Sequence, residues 1–345
     1  MSNPFFIAGR IQNPDDFVGR KAEISRIFSA LETGYTGQAQ HFNIVAPRRM
    51  GKSSLLYYLT RTYSQNIPHA QAYRVIYVDL DHPRCHTRSA LLSHILEQLG
   101  IEHPLPLKLE EFYDSIAEQR ERPDAIWPVV CVDEFEHLIK RKDEFPDSFY
   151  DTWRSLGNNN LLSIIVASQS PLNQLARQEK LTSPFFNIFT LMRLGEFTPQ
   201  AAQQLIARGN FSPEEAERVL DLGGRHPYKL QLAAKLLYAA KADSQPVDWG
   251  GIKKDFRQQA AYIFDDPAQT HWTRRWSRKL CRWAAAAFRT VGRLILVIFN
   301  RNEHADDNAA VWAGVVTVVI ILAVLLGWLN LDMLKNTWRF IFPLE

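Results

Sequence analysis

Short apolar runs alternate with amphipathic stretches over the first 195 residues of this chain. The runs FNIVA (42–46), YRVIYVD (73–79), VVCVD (129–133), LSIIVAS (162–168) and 188–191 favour β-branched and aromatic residues, which suit a pleated surface. Between them, 21–32, 52–65, 87–99, 108–121 and 146–156 read as helices. Such alternation predicts an α/β fold with a parallel sheet covered by helices on both faces. From about residue 197 the strand pattern stops. Residues 198–208, 213–222 and 227–241 read as helices, and Thr198-Pro199 and Ser212-Pro213 each place a capping side chain before a proline at the first helical position. The expected organisation is a core over 1–195 and a small helical lid over 196–265, with no internal repeat.

The pattern changes again near the C-terminus. Residues 309–331, AAVWAGVVTVVIILAVLLGWLNL, are 23 positions without a charge, with Trp312 and Trp328 near the ends. About 20 apolar residues suffice to cross the hydrocarbon core, so a single transmembrane helix is expected there. Before it, Trp272, Trp276, Leu280, Trp283, Ala287, Val291, Leu294 and Ile298 fall on one helical stripe, with Arg275, Arg278, Lys279, Arg282, Arg289 and Arg293 mostly off it. This predicts a basic amphipathic helix over 271–300 lying on a membrane surface against anionic headgroups. A basic helix packed on the domain and a nucleic-acid-binding helix are the alternatives.

Charge sharpens this division. The net charge of +3 resolves into −2 over residues 1–270, +8 over 271–301 and −3 over 302–345. The first 270 residues alone do not have the charge of a nucleic-acid-binding surface. By the positive-inside rule the basic block stays cytoplasmic, and the expected location is a single-pass membrane protein with its main domain in the cytoplasm. Cys85, Cys131 and Cys281 are far apart, odd in number and form no CxxC, which argues against a disulfide framework and against a zinc site. The N-terminus lacks a basic region followed by an apolar run, so no cleaved signal peptide is expected. The stretch DHPRCH (81–86) reads as a surface loop rather than a metal site.

The candidate chemistry lies in two segments. APRRMGKSSLL (46–56) follows a strand and leads into a helix, the context of a phosphate-binding loop. Lys52 is suited to the β- and γ-phosphates and Ser53 to Mg²⁺. Pro47, Arg48, Arg49, Met50, Gly51 and Ser54 complete the cradle at the helix N-terminus. Ala46 stands where the usual pattern has its first glycine. That residue serves the turn out of the strand, so alanine removes no phosphate ligand. WPVVCVDEFEHLI (127–139) is a hydrophobic strand ending in Asp133-Glu134, 81 residues beyond Lys52. Asp133 is the candidate Mg²⁺ ligand and Glu134 the candidate base that polarises the attacking water.

In order along the chain, FVGRKAEISRI (17–27), APRRMGKSSLL (46–56), VVCVDEFEHL (129–138), SIIVASQSPL (163–172), RLGEFTPQAAQQLI (193–206) and GGRHPYKLQLAAKLL (223–237) resemble the STAND-like and archaeal-type branch of the AAA+ P-loop ATPases. The resemblance covers residues 4–262. It implies a P-loop NTPase fold of the AAA+/ASCE type with ATP and Mg²⁺ as cofactors. It implies that Phe17, Val18, Gly19 and Arg20 lie against the adenine. It also implies that Ser168 and Gln169 are the polar sensor near the γ-phosphate, and that His226 and Pro227 bring the lid to the nucleotide. Arg193 is a candidate trans-acting arginine. Family members commonly continue into a winged helix or long repeats, for which about 30 residues leave no room.

Three functions remain open at this point. The first is a membrane-anchored, slowly hydrolysing ATPase whose nucleotide state controls homo-oligomerisation, with residues 271–331 contacting lipid as tether or effector; a role in defence and an unidentified protein partner are compatible with it. The second is a membrane-tethered nucleic-acid-handling ATPase, disfavoured by the charge of residues 1–270. The third is a non-hydrolysing ATP-binding scaffold.

Overall fold

The computed structural model describes residues 3–5, 9–242 and 246–264, nearly all within a compact unit from Met1 to Gln258. Helix α1 (Lys21–Thr36) precedes β1 (Phe42–Val45), α2 (Lys52–Asn66) and β2 (Tyr73–Asp79). Then come α3 (Arg88–Leu99), α4 (Leu109–Glu121), β3 (Trp127–Asp133), α5 (Glu136–Lys140), α6 (Asp147–Asn158), β4 (Ser163–Ser168), α7 (Leu172–Gln178) and β5 (Thr190–Arg193). The five strands form one parallel sheet in the order β2-β3-β4-β1-β5.

Alternate residues of each strand point to opposite faces. Ile76 and Val78 of β2, Val130 and Val132 of β3, and Ile164 and Val166 of β4 face one core with Leu92 and Ile95 of α3, Phe112 of α4 and Trp153 of α6. Val75, Val129, Cys131, Ile165 and Ala167 face the other, with Ile27 and Leu31 of α1 and Leu55 and Leu59 of α2. Both faces are therefore covered, as the near-continuous apolar strands require. The chain leaves β1 for the far edge of the sheet, so the end of β1 opens beside β4, and parallel α/β sheets hold ligands at such a point.

After the sheet come α8 (Pro199–Ala207), α9 (Pro213–Gly223), α10 (Pro227–Ala242) and α11 (Trp249–Phe264). Thr198 Oγ1 accepts from Ala201 N–H at 3.2 Å, and Ser212 with Glu215 forms a capping box, so both sequence signals are real caps. Three helices carried too little pattern to be anticipated. α5 spans 5 residues, α7 spans 7, and α11 opens on Trp249-Gly250-Gly251, where two glycines disfavour helix locally. Strand β5 starts two residues later than expected because Pro184–Asn187 forms a 3-10 turn capped by Ser183 Oγ. Among the described residues no helix is long and apolar enough to cross a membrane. The segments 271–300 and 309–331 lie outside the described residues.

Candidate functional site

The loop after β1 owes its shape to two left-handed residues, Arg49 (φ 65°) and Gly51 (φ 89°). Gly51 is a glycine for that reason, because no other atom lies within 4 Å of where its Cβ would be. Ala46 is not among the left-handed residues. It is buried, and its N–H bonds Ser168 O at 3.3 Å. Alanine thus meets no conformational penalty at the position where the usual motif has glycine. The Lys52 ammonium donates to Ala46 O at 2.9 Å and Pro47 O at 3.2 Å, drawing the loop around it. Burial lowers the Lys52 pKa, while Glu134, Glu136 and Asp133 oppose that shift.

Beside this loop β3 ends in Asp133, which is buried, and Glu134, which is left-handed at φ 53°. A non-glycine residue in that region is strained, and Glu134 holds that conformation beside the loop, where its charge acts on Lys52. Burial raises the Glu134 pKa, Glu136 and Asp133 raise it further, and Lys52 opposes them. A carboxyl held more basic than usual next to a phosphate loop is suited to accept a proton from water.

Loop, acids and lid enclose a cavity of about 550 Å³. Of the sequence candidates, Val18, Arg20, Arg48, Arg49, Met50, Gly51, Lys52, Ser53, Ser54 and Glu134 line it, as does Phe17, stacked on Tyr58 with ring centres 4.5 Å apart. The others do not. Gly19 (φ 77°) is where α8 packs closely on the segment before α1, since a Cβ there would meet Ala201 Cβ at 2.9 Å. Pro47 is exposed and not among the lining residues. Asp133 sits behind the wall. The Ser168 hydroxyl is wholly engaged, donating to Ser170 O at 2.7 Å and accepting from Asn43 Nδ2 at 2.8 Å, so it braces β1 against β4. Gln169 beside it is also off the wall. His226 acts as the N-terminal cap of α10, its Nδ1 accepting from Lys229 N–H at 3.4 Å, and Pro227 is buried. Burial and Lys229 lower the His226 pKa, keeping the ring neutral and able to accept.

The lid reaches the cavity through Phe197, through Leu205 of α8 and, one step further into α10, through Tyr228 and Gln231. Their spacing of three places both on one helical face, a signal present in the sequence. The Arg49 guanidinium lies 5.2 Å from the Tyr228 ring centre, tying loop to lid. Arg20 does the same from another side, donating to Met50 O at 3.1 Å and lying over the Phe197 ring. Gly9, Arg10 and Ile11 also line the cavity, as do Asp81 and His137, whose Oδ1 and Nδ1 are 2.8 Å apart. His137 lies in the acidic-pair segment 127–139 and Asp81 in the stretch 81–86, but neither is a sequence candidate for the site, and no local motif marks Gly9, Arg10 or Ile11.

The oxygen donors that the sequence assigns to a divalent cation are the Ser53 hydroxyl on the cavity wall and the buried Asp133 carboxylate at the end of β3. Among the described residues no cluster of three or more His, Cys, Asp or Glu is set to hold a metal. Hard oxygen donors in small number fit Mg²⁺, which keeps waters and substrate phosphates as its other ligands.

The model of the AAA domain family matches residues 36–176, and that of Novel STAND NTPase 2 matches residues 117–275. Among solved structures, a Walker-type ATPase of Pyrococcus abyssi is similar at 20% identity, with 84% of this chain and 83% of that chain covered and a TM-score of 0.54. The Aeropyrum pernix ORC2 protein in ADPNP–ADP complexes is similar at 14% identity, covering 74% and 71%, with a TM-score of 0.57. Drosophila ORC bound to DNA matches at 14% identity, covering 71% and 67%, with a TM-score of 0.51. No protein of curated function matches. The two family models between them match residues 36–275, each less than half of the chain, and the solved structures share the fold of this parallel sheet.

Proposed function

We propose that this protein is a membrane-anchored ATP switch, in which nucleotide bound in the 550 Å³ cavity controls self-association of the chain. The observation that carries the reading is that one cavity is walled by phosphate loop and lid together, with Arg49 on Tyr228 and Arg20 spanning from Met50 to Phe197. A nucleotide filling it touches both, so its phosphates bias how the lid sits on the core. Lys52 and the amides of the loop hold the phosphates. Ser53 and Asp133 would hold Mg²⁺, which would supply positive charge beside the phosphates. Glu134 takes the proton from the attacking water. Phe17, Val18 and Tyr228 give the base an apolar slot. The charge-free run 309–331 supports a single membrane span, and the +8 block 271–301 supports contact with anionic lipid.

The test is the mass of the full chain in detergent micelles, with ADP, with ATP and Mg²⁺, and with neither. Glu134→Gln is used to trap the ATP state and Lys52→Ala as control. A defined oligomer that forms with ATP and Mg²⁺, persists in Glu134→Gln and is absent in Lys52→Ala supports the switch. One mass under every condition refutes it. A second reading, a nucleic-acid-handling ATPase, draws on the basic block and on the likeness to Drosophila ORC bound to DNA. Salt-sensitive DNA binding that depends on residues 271–301 is its signature.

A further inference from the structure

Asp133 is held by two donors, and one of them belongs to no motif. Glu134 N–H donates to Oδ1 at 3.0 Å, and the Tyr77 hydroxyl donates to Oδ2 at 2.7 Å. Tyr77 lies on β2, whose register pairs it with Cys131 and pairs Asp79 with Asp133, so the ring reaches diagonally to the end of β3. The ring is itself fixed. Tyr57 of α2 meets it edge-on at 5.7 Å and 88°. The Arg10 guanidinium lies 4.6 Å from the Tyr77 ring centre and 4.8 Å from that of Tyr57, and its Nη1 is 3.4 Å from Asp79 Oδ2. Ile11 N–H donates to Ser54 Oγ at 3.1 Å, which pins this arm to the first turn of α2, beside Ser53.

A carboxylate with one donor turns about its Cβ–Cγ bond, and one with a donor on each oxygen does not. The second donor costs Asp133 little affinity for a cation, because each oxygen keeps a further lone pair. Ligating carboxylates are oriented by such partners, whose loss weakens metal binding about 10- to 100-fold. We propose that Tyr77 is a positioning residue for magnesium: its hydroxyl orients Asp133 as a ligand, and Arg10 holds the Tyr77 ring in place. This rests on the reading of Asp133 as the Mg²⁺ ligand of the nucleotide site.

The experiment titrates a fluorescent ADP analogue onto the full chain in EDTA and at graded Mg²⁺. The wild type gains affinity with Mg²⁺. Tyr77→Phe keeps its EDTA affinity within about twofold and needs about tenfold more Mg²⁺ for the same gain. In an Asp133→Asn background Tyr77→Phe changes the Mg²⁺ requirement less than about twofold, because the two residues act as one unit. Arg10→Gln shifts the requirement in the same direction by about threefold, and it decides the matter should Tyr77→Phe not fold. A wild-type Mg²⁺ requirement in Tyr77→Phe or, failing that, in Arg10→Gln overturns the inference alone. An equal loss of affinity with and without Mg²⁺ also overturns it, since that is what a purely structural hydroxyl produces. A wild type whose ADP affinity ignores Mg²⁺ overturns the site reading and the inference together.

Discussion

The two ends of this parallel sheet are built from similar residues and do opposite things. At the N-terminal end of the strands the polar groups are matched and enclosed. His41 Nδ1 accepts from Ile164 N–H at 3.1 Å, Trp127 Nε1 donates to Ser163 Oγ at 3.2 Å, and Ala39 N–H donates to Asn160 Oδ1 at 2.8 Å. At the C-terminal end Arg49, Gly51 and Glu134 are left-handed, Asp79 pairs in register with Asp133, and the charges of Asp133 and Glu136 act on Glu134. Like charges and strained backbone destabilise a fold, and here they sit where the cavity opens. Stability is concentrated at one end, and chemistry is concentrated at the other.

That contrast breaks most visibly if a closed-end side chain is removed. Trp127 is buried and lies under the Arg120 guanidinium, 4.6 Å from the ring centre. Trp127→Ala should cost about 3–5 kcal/mol in urea unfolding, with the ATP affinity of the folded fraction unchanged. A loss of affinity without loss of stability would show that the ends are not separable.

The next largest effect is a pH dependence from the same end. Burial lowers the His41 pKa from the ordinary 6.5 to about 4, because the imidazole is enclosed by Gly157, Ile164 and Phe189. Below pH 6.5 the unfolded chain binds a proton that the folded chain refuses until pH 4. Stability is therefore full above 6.5 and falls as the pH drops to 4, by about 3 kcal/mol in all. His41→Gln keeps an acceptor and should flatten that part of the stability profile. An unchanged profile would assign the acid sensitivity elsewhere.

At the open end the effects are smaller and fall on binding. Gly51→Ala forces a left-handed alanine and should weaken ATP affinity about tenfold, while the melting temperature moves only a few degrees. Ala46→Gly should change affinity and turnover less than about twofold, because Ala46 needs no left-handed conformation. A large gain in turnover would mean that the missing glycine of the motif limits the reaction.

Much of this was legible because it is local. Strand positions, the caps at Thr198 and Ser212, and the phosphate loop each follow from residues adjacent in sequence, whose spacing sets the backbone geometry. The site was legible only where it coincided with such segments. The resemblance assigns Ser168 as a sensor, and in the fold its hydroxyl donates to Ser170 O and accepts from Asn43 Nδ2, contacts that a single stretch of sequence does not record. His226 looked like a nucleotide contact, yet the start of α10 uses it as a cap.

What the sequence determined by itself is the alternation of elements, the phosphate loop with Lys52 and Ser53, and the acid pair at the end of β3. Local spacing and backbone preference suffice for these. Only the tertiary structure decided that Arg10, Tyr77, Asp81, His137 and Tyr228 gather around them. Those residues lie on the N-terminal arm, β2, the turn after it, α5 and α10. Contacts between separate elements are set by strand order and packing, which no single stretch of sequence records.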